Sequence, residues 1–178
     1  MRTDRLHQEH GVELCWSVFP LHPETPEEGM ELSQLFAGRE AQIKSMQARL
    51  QQVALIEGLP LAERTRTYNS RLAQELGKWA ETLGKGDRFR KAIYQAYFVN
   101  GVNIAKVDEL VRIAESVGLP GHEARVVLTT GSFAAAVDAD WQRARELGVT
   151  AVPTHICQGK WLEGFGAYGD FLRLIGEG

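Results

Sequence analysis

Two periods of hydrophobic spacing divide the chain. Near its start, "VELCWSVF" (12–19) alternates, with Val12, Leu14, Trp16 and Val18 on one face and Cys15 and Phe19 on the other. That period of two predicts a strand. Ahead of it, "RTDRLHQEHG" reads as the end of a helix closed by Gly11, and after it the prolines of "PLHPETPEEG" preclude regular structure. From Met30 to about Thr130 the spacing becomes three and four. Ile43, Met46, Leu50 and Val53 form one stripe expected to face a core, and Leu72, Leu76, Trp79 and Leu83 a second. Phe89, Ile93, Ala96 and Tyr97 follow behind Asp87 as expected N-cap, then Val107, Leu110, Val111 and Ala114, stopped at Gly118. A last long helix is expected from a Ser132 cap to Gly148, with Trp141 in the core.

The final stretch shortens its period again. "VPTHICQG" and "KWLEG" read as two strands joined at Gln158-Gly159, and "AYGDFLRLIGEG" as a closing helix. One early strand and a late hairpin imply a single mixed sheet covered by helices, an α/β architecture. The expected divisions are 1–29, 30–130 and 131–178, with the middle part an all-helical insertion.

Composition narrows the function classes. The 178 residues are 44% hydrophobic and 24% charged with a net charge of −3, without the basic surplus of a nucleic-acid binder. No apolar run reaches membrane-spanning length. The N-terminal residues lack the apolar core of a signal peptide, so a cytoplasmic location is expected. Two cysteines, Cys15 and Cys157, form no Cys-x-x-Cys and no metal-ligand spacing. They read as buried thiols; as a cross-strand pair they would be strained.

"WSVFPLHPETPEEG", "TYNSRLAQELGKWAE", "AYFVNGVNIAKVDELVRIAESVGL" and "GVTAVPT" together resemble the DsbA family. The nearer likeness is to its FrnE-like branch, related to 2-hydroxychromene-2-carboxylate isomerases and kappa-class glutathione transferases. The resemblance implies a thioredoxin fold with a large helical insertion. It also implies a cis bond before Pro153, exposing the backbone of Val152 to an extended substrate. Tyr68 and Asn69 would face the cleft from the insertion, and His22 could line a substrate pocket. His155 stands where the family usually has an aromatic residue, and a hydrogen-bonded core histidine is expected there.

Redox members of the family carry Cys-Pro-x-Cys, or a Ser variant, between a first strand and a first helix, where the helix N-terminus favours the thiolate. This chain starts within what the resemblance makes that first helix, so the first strand and active-site motif are expected to be missing, and no residue of the chain is assigned a catalytic role. Three functions follow from the resemblance: a thiol–disulfide oxidoreductase with its nucleophile upstream of Met1, acting on protein thiols and disulfides; a glutathione-dependent isomerase or transferase acting on a small hydrophobic substrate; or a redox-inactive binding module. The unpaired strand 12–19 would favour either self-association into a homodimer or a weakly stable monomer. No resident cofactor or metal is expected, glutathione entering only with the second function.

Overall fold

The structure is a computed structural model that describes residues 2–177. It divides into two compact units, one built from 22–138 and the other from 1–21 with 139–178. These boundaries differ from the expected 29/30 and 130/131, for identifiable reasons. Residues 22–29 are held by the helical unit: Asn69 Nδ2 donates to the carbonyls of Pro23 (3.0 Å) and Thr25 (2.8 Å). Asn103 Nδ2 donates to that of Glu27 (2.9 Å). At the other boundary Arg71 donates to the Ala134 carbonyl (2.9 Å) and to Asp138 (2.6 Å), keeping the start of the last long helix with the insertion.

In the helical unit, α2 (Leu32–Leu35) and α3 (Glu40–Ile56) precede α4 (Arg71–Thr82), α5 (Gly86–Tyr94), α6 (Val107–Ser116) and α7 (Gly121–Thr130). The stripes of α4 to α7 close on one another: Leu76, Phe89, Leu110 and Ala114 are fully buried, and Trp79 and Leu128 nearly so. Leu83 departs from expectation and is 45% exposed, because α4 ends at Thr82 and Leu83 is its C-cap. Met46 and Leu50 also lie exposed, since α3 packs extensively on no other helix or strand among the described residues.

Period-based reading missed two features here. A short antiparallel pair joins β1 (Met30–Glu31) to β2 (Arg66–Thr67), too short to show alternation. Gly29 precedes it at φ +80°, where a Cβ would stand 2.5 Å from Tyr68 Cδ1. After α5 the helix widens into a π-turn over Gln95–Val99. Asp87 is not the N-cap of α5; Lys85 is, and the Asp87 carboxylate instead pairs with Arg90 one turn on.

In the other unit, α1 (Arg2–His10) ends at Gly11 in the left-handed region, as expected. α8 (Ala134–Glu146) starts two residues after Ser132, so Ser132 does not cap it; Trp141 is half-buried. β3 (Thr154–Cys157) and β4 (Lys160–Glu163) form the expected hairpin, followed by α9 (Tyr168–Ile175). Gln158 and Gly159 both have positive φ, which a two-residue type I′ turn requires.

The main departure is 12–19. It forms no ladder, and the β3–β4 sheet has only two strands. A strand exists only beside a partner, and among the described residues none lies along 12–19; alternation alone does not make one. Leu14 and Trp16 are about two-fifths exposed. Val18 is tied through its N–H to Asp140 Oδ2 at 2.9 Å. No helix among the described residues is long and apolar enough to cross a membrane.

Candidate functional site

The Val152–Pro153 bond is cis, as the resemblance implies. What the following strand offers follows from its hydrogen bonding. Gly164 N–H donates to the Pro153 carbonyl at 2.8 Å, one register step beyond the pair Thr154↔Glu163. In an antiparallel ladder hydrogen-bonded pairs alternate with non-bonded ones. His155 and Cys157 therefore direct their backbone groups toward β4. Thr154 and Ile156 direct theirs to the outer edge.

That edge and the extended segment 12–19 line one cavity of about 660 Å³. Leu6 of α1, Leu147 after α8, and Phe171 and Leu174 of α9 also line it. The lining is mostly apolar and includes two runs of chain, 12–19 and 152–158. The outer edge of β3 at Thr154 and Ile156 is left without a strand partner among the described residues.

Cys15 and Cys157 both line this cavity as free thiols. The expectation that both are buried fails: Cys15 is exposed, because the segment carrying it lacks a covering neighbour, and Cys157 is half-buried. His155 is half-buried, its ring edge-on to Phe171 at 4.8 Å. Its Nδ1 is enclosed without a hydrogen-bond partner, so the expected satisfaction of a core histidine is met only in part. Burial holds its pKa below the ordinary histidine value, opposed by a hydrogen bond with the Leu162 backbone. Among the described residues no group of three or more His, Cys, Asp or Glu side chains is placed to hold a metal ion.

The remaining sequence-selected residues belong to the helical unit. Asn69 has both amide hydrogens on loop carbonyls, and its Oδ1 accepts from Arg71 N–H at 2.8 Å, so its amide is engaged by its own backbone neighbours. Tyr68 is half-buried, edge-on to Tyr97 at 6.3 Å. His22 stacks edge-on against Phe36 at 5.8 Å. Thr67, Arg64 and Phe98, gathered around Tyr97, were not singled out from the sequence. Tyr97 OH is 2.9 Å from Thr67 Oγ1, and the Arg64 guanidinium lies over the rings of Tyr97 (4.5 Å) and Phe98 (4.8 Å). The aromatics of "QAYFV" lie in the π-turn over Gln95–Val99, which no spacing in the sequence announces.

Comparison with known proteins places this arrangement. The chain is 30% identical over 107 residues to the uncharacterized protein YwbO of Bacillus subtilis. That match takes in 60% of this chain and 54% of the relative, so it spans about half the length of that protein. A probable DsbA oxidoreductase from Streptomyces coelicolor superposes with a TM-score of 0.86 at 22% identity, over 97% of this chain and 79% of that one. A 2-hydroxychromene-2-carboxylate isomerase superposes with a TM-score of 0.71 at 17% identity, over 97% and 83%. Both likenesses are of fold. The family description that matches, over residues 1–171, is the DSBA-like thioredoxin domain, and the chain belongs to that family.

Proposed function

We propose that this chain is the substrate-presenting part of a FrnE-like thiol–disulfide oxidoreductase, working in the cytoplasm, whose reactive dithiol is carried by polypeptide preceding Met1. The observation that supports this reading is the slot between 12–19 and the outward edge of β3 at Thr154 and Ile156, the place that a first strand carried by the preceding polypeptide would fill. In the reaction a thiolate attacks one sulfur of a substrate disulfide and expels the other as thiolate. The second thiol then displaces the first substrate sulfur, so two electrons pass to the substrate and the dithiol becomes a disulfide. The role of this chain is to align the substrate: the carbonyl and N–H of Val152 hold an extended segment, and Val152 and Pro153 set its depth. Tyr68, Asn69 and His22 stand in the second unit as candidate substrate contacts, with Asn69 acting through the 22–29 loop it anchors.

The test is the coding sequence upstream of the first codon and the activity of the longer protein. An in-frame strand ending in Cys-Pro-x-Cys, with insulin reduction in dithiothreitol lost when the leading cysteine becomes serine, supports the reading. A Ser-Pro there, with glutathione-dependent turnover of a small hydrophobic substrate, replaces it by an isomerase or transferase. A stop codon leaves a binding module. The chain as given is expected to show no insulin reduction above background, since neither Cys15 nor Cys157 stands at a helix N-terminus.

A further inference from the structure

The stripe of Ile43, Met46, Leu50 and Val53 on α3 does not enter the core of its own chain. Met46 is 59% and Leu50 50% exposed, while Ile43 and Val53 are half-buried. A neighbouring face of the same helix is held by the returning segment: Gln47 Nε2 donates to the Arg64 carbonyl at 3.2 Å, and Ala54 is buried. The apolar stripe is therefore left facing outward beside a face that touches the returning segment at Gln47 and is buried at Ala54.

Two charged residues continue the stripe at its ends. Arg39 is the N-cap and Glu57 the C-cap of α3. Arg39, Ile43, Met46, Leu50, Val53 and Glu57 follow one another at alternating steps of four and three. That 3.5-residue repeat is the seam of a helix that winds around another helix. The seam is also symmetric about Ala48. Met46 and Leu50 stand two residues to either side, Ile43 and Val53 five, and Arg39 and Glu57 nine.

We propose that α3 is a self-association helix, pairing antiparallel with α3 of a second copy of this chain about a twofold axis near Ala48. Met46 then meets the partner's Leu50, and Ile43 meets the partner's Val53. Arg39 meets the partner's Glu57, closing the seam with opposite charges at both ends. A parallel, in-register pair would instead set Arg39 against its own copy and Glu57 likewise. An unrelated partner would have no reason to match a sequence symmetric in both size and charge. Arg49 flanks the axis, where the two copies oppose one another; the repulsion limits the dimer to a reversible one.

Sedimentation equilibrium of the full chain tests this. The wild type should be a concentration-dependent dimer. Leu50→Glu, and Met46→Glu separately, should leave a monomer with unchanged far-ultraviolet circular dichroism, because both side chains are exposed in the single chain. Arg39→Glu and Glu57→Arg should each weaken the dimer by roughly three- to tenfold, and the double reversal should restore it. Arg49→Gln should tighten it. A wild type that stays monomeric at its highest attainable concentration overturns the proposal. So does a dimer indifferent to Leu50→Glu, as association through 12–19 would be, or a double reversal that does not recover.

Discussion

The two units spend apolar sequence differently. In the helical unit the stripes of α4, α5, α6 and α7 close on each other, and Leu76, Phe89, Leu110 and Ala114 lose all contact with water. In the other unit Leu6, Phe171 and Leu174 are buried, yet Leu14, Trp16, Val152 and Ile156 stay about two-fifths exposed or more around the slot. Helices satisfy their backbone internally and need only an apolar neighbour. A sheet edge needs another chain's donors and acceptors, and where none lies alongside, both the edge and its apolar flank remain open. Closure is a property of the α4–α7 core; α3 of the same unit leaves Met46 and Leu50 exposed, and the hairpin unit leaves a sheet edge unpaired among the described residues.

The sharpest break in that comparison is a cavity in the closed side. Phe89→Ala removes a fully buried ring and should cost about 3–5 kcal/mol in urea unfolding. The same size of truncation at Trp16, which is 40% exposed, should cost well under half as much. Equal losses would mean that 12–19 is packed as firmly as the helical core.

Next in size is the ion pair that ties α4 to the end of the insertion. Arg71 Nε donates to Glu75 Oε1 at 2.7 Å, where the Glu75 side chain is 6% exposed, and another of its nitrogens reaches Asp138 at 2.6 Å. The hydrogen bond to Asp138, with that to Glu75, holds the Arg71 pKa above its ordinary value. Arg71→Met leaves the Glu75 carboxylate without its cation and should lower stability by about 3 kcal/mol. Adding Glu75→Leu should recover much of the loss. A double variant no better than the single one would move the cost to the lost bonds with Ala134 and Asp138.

How far each unit could be read from its sequence follows the same division. Helical stripes are local, so α4 to α7 and most of their buried positions are evident from spacing alone. The type I′ turn at Gln158-Gly159 is local too. The 12–19 segment was not legible, because alternation records which side chains suit a sheet, and pairing depends on a partner elsewhere. The π-turn at Gln95–Val99 and the two-residue β1–β2 pair lie below the length at which any period shows. For the site, the resemblance pointed to Val152 and Pro153, whereas the roles of Arg64, Tyr97 and Asn103 depend on contacts across the fold.

The open edge makes a residue-by-residue expectation for amide hydrogen exchange. His155 and Cys157 N–H groups point into the β3–β4 ladder, and those of Thr154 and Ile156 point outward. The inward pair should exchange at least about tenfold more slowly than the outward pair. When the slot is filled by an added strand, Thr154 and Ile156 should gain protection while His155 and Cys157 change little. Uniform protection across all four would mean that the outer edge is already paired.

The smallest expected effect comes from the histidine inside the open unit. His155 lies half-buried against Phe171 with Nδ1 unpartnered, and burial lowers its pKa. In the unfolded chain the imidazole takes a proton near pH 6.5, whereas in the folded chain it does so only at lower pH. Between those two values the unfolded state binds more protons, so stability falls as pH drops below about 6.5 and levels off once the folded imidazole also protonates. His155→Phe should remove this slope while leaving stability at pH 8 nearly unchanged, measured as the urea midpoint across pH 5 to 8. Filling the slot should steepen it, because the added strand excludes water from the ring and lowers its folded pKa further. A slope that survives His155→Phe belongs to other groups, and one that disappears on filling would mean that the incoming strand supplies Nδ1 with the partner it lacks.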